Sequence, residues 1–280
     1  MQGKTVVVTG ATSGIGEIAA LDLAKRGARI VFVARNHFRA DAMMTHLSIA
    51  NSAVKHAVHL ADLSRLSEMK RVASEIAASE PKIDVLVNNA GAVYDKREVT
   101  VDGLEMTFAT NHMAYFVVTN VLLDRLKATP GARIVSTASD AHKAGKLDFD
   151  DLQSEKSFSI FRAYGTSKLC NILFTRELAR RLVGSGVTAN CLHPGFVSTS
   201  FGDNNDGLWG FVIGLGKRLI AITPEQGAKT ISYLASAPEV AGQSGGYYYK
   251  NALATPTAAA QNDADAKRLW DVSAKIAGVG

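Results

Sequence analysis

An α/β fold is what the 280-residue sequence predicts: a three-layer, doubly wound architecture with a mainly parallel sheet of about seven strands. Three observations carry that reading. Short β-branched runs alternate with longer stretches of helical periodicity. The runs are apolar throughout and not alternating, as strands buried on both faces require. Apolar residues make up 47% of the chain against 20% charged, enough to cover such a sheet on both sides.

In order, Thr5–Thr9 reads as the first strand. The helix at 15–26 comes next, with Ile15, Ile18, Ala19 and Leu23 on one face and Lys25, Arg26 and Gly27 as a cationic, glycine-ended stop. Strands at Arg29–Ala34, Val54–Leu60, Asp84–Asn88, Arg133–Ser136 and Val187–Leu192 alternate with helices at 38–50, 65–79, 104–128 and 164–183. A helix at 225–236, a weaker strand at Tyr247–Tyr249 and a helix at 264–276 complete the series. No linker or repeat interrupts it, so one domain is expected over 1–280. Two segments break the rhythm: a polar connection at 140–162 and an apolar, glycine-containing one at 200–223. Long connections inside a compact domain usually serve function.

The composition narrows the function. Net charge is +5 and scattered, without the basic stripe and interleaved aromatics of a nucleic-acid binder, so no nucleic-acid partner is expected. Cys170 and Cys191 are too few for a disulfide framework; both are expected to pack in the interior. The seven histidines lack metal spacing, and neither His56 nor His59 has an acidic neighbour in sequence, so no metal is expected. The first strand begins almost at once, so no signal peptide is expected. The longest uncharged apolar stretch, Gly207–Gly216, falls well short of the roughly 20 residues of a spanning helix. A soluble, cytoplasmic protein is the expectation.

Between the first strand and the first helix lies Thr9-Gly-Ala-Thr-Ser-Gly-Ile-Gly16. Gly10, Gly14 and Gly16, with Thr12, Ser13 and Ile15 between them, would let the backbone turn tightly and approach a pyrophosphate at the helix N-terminus, as in a Rossmann-type fold. The second strand ends at Ala34-Arg35, where an acidic residue would hold the ribose 2′-hydroxyl of NAD(H). Arg35 offers a guanidinium suited to a 2′-phosphate, so NADP(H) is expected over NAD(H).

With these features the sequence resembles the short-chain dehydrogenase/reductase family over essentially its whole length. The glycine loop has that family's spacing. Asn88-Asn89-Ala90-Gly91, Tyr164-Gly-Thr-Ser-Lys168 and Pro194-Gly195-Phe-Val197-Ser-Thr199 match further family elements. The resemblance implies that Asp62 and Leu63 contact adenine, that Asn89–Gly91 line the cofactor, and that Pro194, Gly195, Val197 and Thr199 lie beside the nicotinamide. It also implies that Asn111 belongs to a catalytic tetrad and supports a water-linked proton path from Lys168. Asp151–Lys156, Lys168–Leu178 and Arg268–Ser273 are similar to the retinol-dehydrogenase-like branch, and the N-terminal membrane segment of many of its animal members is not expected here.

Tyr164 and Lys168 stand four apart on a helix and share a face. A lysine cation about 5 Å from a phenol, at an effective dielectric of about 20, favours phenolate by roughly 3 kcal/mol, or about two pKa units. An acidified Tyr164 is therefore the expected acid–base group. Ser139 is the first choice for a hydroxyl holding the substrate carbonyl, with Ser136 as the alternative. The glycine loop, Arg35, Asp62, Asn88–Gly91, Ser139 and Pro194-Gly195 all come just after strands, and in an open parallel sheet those ends line one crevice.

The expected activity is hydride exchange between NADP(H) and a carbonyl/alcohol pair. Phe201, Leu208, Trp209, Phe211 and their apolar neighbours in 200–223 would close as a lid on a lipophilic substrate, the alternatives being a membrane-surface contact or core packing. A nucleotide-sensing protein without chemistry is the rival class. The resemblance offers helices 104–128 and 164–183 as pairing faces should the chain form a homo-oligomer, which composition does not decide.

Overall fold

A computed structural model describes residues 1–195 and 223–279. Its sheet has eight strands in the order β3-β2-β1-β4-β5-β6-β7-β8: Thr5–Thr9 (β1), Arg29–Ala34 (β2), Ala57–Leu60 (β3), Val85–Asn88 (β4), Arg133–Thr137 (β5), Thr188–Leu192 (β6), Tyr247–Tyr249 (β7) and Ala252–Ala254 (β8). β1 to β7 are parallel, and only β8 runs antiparallel. From β1 the chain first winds outward to β2 and β3, then returns to add β4 on the other side. That reversal opens a crevice at the carboxyl ends of β1 and β4.

Alternation along the strands divides the core in two. Val7, Val31, Leu86 and Ile134 point to one face, Val6, Val8, Ile30, Phe32, Val85 and Val87 to the other, all essentially unexposed. The first face is covered by Leu66–Ser79 (α3), Ala114–Lys127 (α5), Ile160–Arg181 (α6) and Asp263–Ala277 (α8), through residues such as Ile76, Phe116, Phe174 and Trp270. The second is covered by Gly14–Lys25 (α1), His37–Ala50 (α2) and Pro224–Ser236 (α7), through Leu23, Leu47 and Ile231. The stack of Trp270 on Phe174, centroids 5.8 Å apart, anchors the C-terminal helix to α6.

Four details differ from the sequence expectation. β3 starts at Ala57, not Val54, because the buried His56 ring accepts the Ile30 N–H at 3.0 Å, where a backbone carbonyl would have extended the ladder. Helix α6 starts at Ile160, shortening the polar connection, which also contains a 3-10 turn at Asp140–Ala144. The stretch 104–128 is not one helix. A short turn at Met106–Phe108 (α4) leads into a π-helical segment, Ala109–Met113, before α5 begins. Finally, Lys250 and Asn251 both have positive φ, 49° and 63°, and form a two-residue hairpin loop that adds β8.

Candidate active site

The parallel register brings the expected residues to one edge. Thr9 pairs with Val33, Ala34 with Leu60, Asn88 with Ser136 and Thr137 with Leu192, so the chain leaving each of these strands opens on the same crevice. The glycine loop is fastened there by side chains. Thr9 Oγ1 accepts the N–H groups of Asn89 and Ala90 at 3.0 and 3.1 Å, and Asn89 donates to the Gly10 carbonyl at 3.0 Å. Thr137 Oγ1 donates to the Asn89 carboxamide oxygen at 3.2 Å, tying β5 to the same knot. Thr9 opens the glycine-loop motif, but the sequence does not mark it as the knot's acceptor; Thr137 carries no motif and stands at a strand end beside one.

Two of the loop glycines are required by contact. A Cβ on Gly10 would stand 2.7 Å from the Ala90 Cα, and one on Gly16 2.1 Å from the Gly10 carbonyl oxygen and 2.3 Å from Asn89 Nδ2. Gly10 (φ +70°) and Gly14 (φ +58°) also occupy the left-handed region. Ser13 caps α1 without a side-chain hydrogen bond to the first backbone N–H groups of the helix. Thr12 and Ser13 line this cradle, while Ile15 turns back and packs on the second core. Amide donors at a helix start behind a glycine turn suit a diphosphate, and the cradle fits a dinucleotide. Gly16→Ala should therefore weaken dinucleotide binding at least about tenfold, read by fluorescence titration, because the displaced atoms are backbone and the clamp of the loop.

Arg35 is exposed beyond β2 and has no hydrogen bond or ion pair among the described residues. Across from it, Asp62 Oδ1 accepts from the backbone N–H and hydroxyl of Ser64 at 3.0 and 2.8 Å, which fixes the turn after β3. Leu63 packs against the first core. Pro194 and Gly195 come after β6, with Gly195 at φ +90°. Val197, Thr199 and residues 200–222 of the expected lid lie outside the described residues.

Around Tyr164 the groups converge. The Ser139 hydroxyl hydrogen-bonds the Tyr164 hydroxyl, and Lys168 Nζ lies 5.6 Å from the Tyr164 ring centroid. The ammonium donates to the Thr137 carbonyl at 3.1 Å and sits 5.8 Å from the Tyr115 ring. Ser136, the alternative to Ser139, is wholly buried within β5 and does not open on the crevice. Asn111 lies in the π-helical segment. Its carboxamide accepts the Ala92 N–H at 2.8 Å and donates to the Ala92 carbonyl and Ser167 Oγ, both at 3.0 Å. Ser167 in turn donates to the Tyr164 carbonyl at 2.7 Å, so Asn111 links the chain after Gly91 to the helix bearing Tyr164. A Cβ on Gly91 would lie 3.1 Å from Asn111 Oδ1 and 3.5 Å from Lys168 Nζ.

The electrostatics correct the sequence expectation for Tyr164. Burial, not the lysine, dominates: the phenol is pushed up to about 12, with the Ser139 hydrogen bond pulling the other way. Burial also pulls Lys168 down to about 7. The phenol is thus held as a proton donor, and the lysine changes charge near neutrality. Elsewhere, Cys170 and Cys191 are buried thiols pushed up to about 12. His59, expected to lack an acidic partner, meets Glu75 at 3.4 Å, since α3 brings that carboxylate back over β3.

A dinucleotide cradle and a Ser–Tyr–Lys cluster on one edge of a doubly wound sheet define an oxidoreductase of the nicotinamide-dependent class. Known proteins agree with that class. Residues 4–206 match the family described as short chain dehydrogenase. Human retinol dehydrogenase 13 is 41% identical over 99% of this chain and 85% of its own length. Mouse retinol dehydrogenase 14 is 38% identical over 100% and 87%. Among solved structures, an uncharacterised protein from Mycobacterium paratuberculosis superposes with TM-score 0.79 at 29% identity, covering 99% of this chain and 94% of its own. A short chain dehydrogenase from Burkholderia cenocepacia J2315 in complex with NADP gives TM-score 0.71 at 25% identity, covering 90% and 99%. The chain belongs to the short-chain dehydrogenase/reductase family, in its retinol-dehydrogenase-like branch, and is an oxidoreductase acting on CH–OH groups. No helix among the described residues is long and apolar enough to cross a membrane.

Proposed function

We propose that the protein interconverts lipophilic aldehydes or ketones and their alcohols, retinoid-like compounds among them, using NADP(H) in preference to NAD(H). The observation that carries this reading is the hydrogen-bonded Ser139–Tyr164 pair with Lys168 behind the ring, at the edge where the glycine cradle opens. When bound, the nicotinamide supplies or takes the hydride. Ser139 holds the carbonyl oxygen by a hydrogen bond, and Tyr164 donates its proton to that oxygen. The Lys168 ammonium stabilises the phenolate so formed, and the Thr137 carbonyl keeps that ammonium oriented. Asn111 fixes the chain after Gly91 against α6, and its place in a π-helical turn supports its assignment to the proton path of Lys168. Alcohol oxidation uses the same groups in reverse.

Three features support the finer assignments. Arg35 is exposed at the end of β2 with no hydrogen bond or ion pair among the described residues, and a 2′-phosphate at that strand end would meet its guanidinium. The Burkholderia relative carries NADP. The curated relatives are retinol dehydrogenases, and the 200–223 stretch is apolar as a lid for such substrates would be. NADPH consumption with aldehydes and ketones of graded apolarity, beside a fluorescence titration of the cofactor, tests the reading. Turnover rising with apolar chain length is expected; binding without turnover across the panel would contradict it. Arg35→Asp removes the guanidinium and offers a carboxylate to a ribose hydroxyl, so the NADPH-to-NADH ratio of kcat/KM should fall by about tenfold or more. An unchanged ratio would place the 2′-phosphate elsewhere.

A further inference from the structure

We propose that His142 is a positioning residue for Ser139, clamping the turn that carries this hydroxyl into the one placement from which it meets both Tyr164 and a substrate oxygen. The inference rests on the reading of Ser139 as the carbonyl-holding group. It assigns to His142 work that the glycine loop, the Tyr–Lys pair and Asn111 do not perform.

Ser139 is not part of a strand. It is the extended residue (φ −160°, ψ 155°) that caps the 3-10 turn Asp140–Ala144, its Oγ accepting the Ala141 N–H at 3.2 Å. The body and far end of this turn are pinned to α6 by backbone contact. A Cβ on Gly145 would lie 2.5 Å from the Gly165 carbonyl oxygen, and one on Gly165 2.7 Å from that of Ala141. Thr166 Oγ1 accepts the Lys146 N–H at 3.2 Å and donates to the Lys146 carbonyl at 3.1 Å. At the leading end His142 adds a tie of its own, from the Ser139 carbonyl to the Thr257 N–H.

The His142 ring is 1% exposed, with Nδ1 2.8 Å from the Ser139 carbonyl oxygen, which also accepts the His142 N–H at 3.1 Å. Its Nε2 lies 3.3 Å from the Thr257 backbone nitrogen, beyond β8. A carbonyl only accepts and a backbone N–H only donates, so the imidazole is neutral with its proton on Nδ1. Burial lowers its pKa and favours that form. The Tyr247 ring closes the remaining side edge-on, centroids 5.3 Å apart. His142 thus ties the residue that presents the hydroxyl to the segment that follows β8. A misplacement of about 1 Å at a catalytic group can cost about 10²-fold in rate.

The test compares kcat, KM for NADPH and melting temperature for His142→Leu, His142→Asn and His142→Gln, alone and with Ser139→Ala. An asparagine amide nitrogen can stand where Nδ1 stands and still donate to the Ser139 carbonyl; a glutamine nitrogen reaches toward Nε2 instead. His142→Leu should lower kcat about 10- to 100-fold with KM for NADPH nearly unchanged, His142→Asn should recover most of that loss, and in the Ser139→Ala background His142→Leu should cost less than about threefold. Should the leucine variant not fold, the asparagine and glutamine variants decide: kcat higher for asparagine supports the clamp, and equal or reversed values overturn it. A kcat within about twofold of wild type for His142→Leu, or its full effect persisting without the Ser139 hydroxyl, would also overturn it. Undiminished turnover in Ser139→Ala alone would instead remove the role of Ser139 and this inference with it.

Discussion

Tyr164→Phe is expected to lower carbonyl reduction about 10²- to 10⁴-fold, the range typical of a positioned acid–base group, or about 3–5 kcal/mol of barrier. The substitution is narrow. Phenylalanine keeps the ring against which Lys168 Nζ rests at 5.6 Å, and only the hydroxyl bonded to Ser139 disappears. Because the ring and its packing are kept and a single hydrogen bond is lost, folding should change by about 1 kcal/mol. Cofactor affinity should stay within about threefold, since the cradle of Gly10 and Gly16 is untouched. Stopped-flow NADPH oxidation and fluorescence titration separate the two effects. Near-normal turnover would remove Tyr164 from the chemistry.

Lys168→Met should move activity and stability in opposite directions. Lys168 is 3% exposed, has no ion pair among the described residues and has its pKa pulled down to about 7 by burial. An unfolded lysine holds its proton to about pH 10.4. The folded state is therefore penalised in full below pH 7, and the penalty fades as pH rises from there toward 10. Methionine fits a similar volume without that cost, and the Thr137 carbonyl keeps the Asn171 amide and Tyr115 hydroxyl as donors at 3.3 and 3.4 Å. The variant should melt several degrees above the wild type at pH 6, with the difference closing toward pH 10. Reduction should fall by about 10²-fold or more, since the developing phenolate loses its cation. In the wild type, reduction should decline above about pH 7 as Lys168 loses its proton, while Tyr164, held up to about 12, stays protonated. A variant less stable at pH 6 and unimpaired in turnover would contradict both halves.

Most of the sheet was legible because its strands are unbroken β-branched runs, and the crevice could be inferred from where the motifs fall along them. The features that escaped depend on atoms distant in sequence. Ala252–Ala254 carries no β-branched residue, and its hairpin turn uses Lys250-Asn251 with no glycine, so β8 left no usual trace. Apolar periodicity runs on through 104–128, hiding the π-helical turn at Asn111. Spacing put Lys168 beside Tyr164 correctly, but spacing carries no burial, and burial reversed the expected shift of the phenol. His142 was invisible because its partners are backbone atoms, one of them 115 residues away. Its position three residues after Ser139 was the only available hint.

The central claim is that one substrate oxygen is held jointly by the hydroxyls of Ser139 and Tyr164. A crystal structure of the protein with NADP+ and an alcohol product tests it most directly. That oxygen should lie within about 2.6–3.2 Å of both hydroxyls. An alcohol bound with its oxygen facing away from Tyr164, in a complex still competent for turnover, would contradict it.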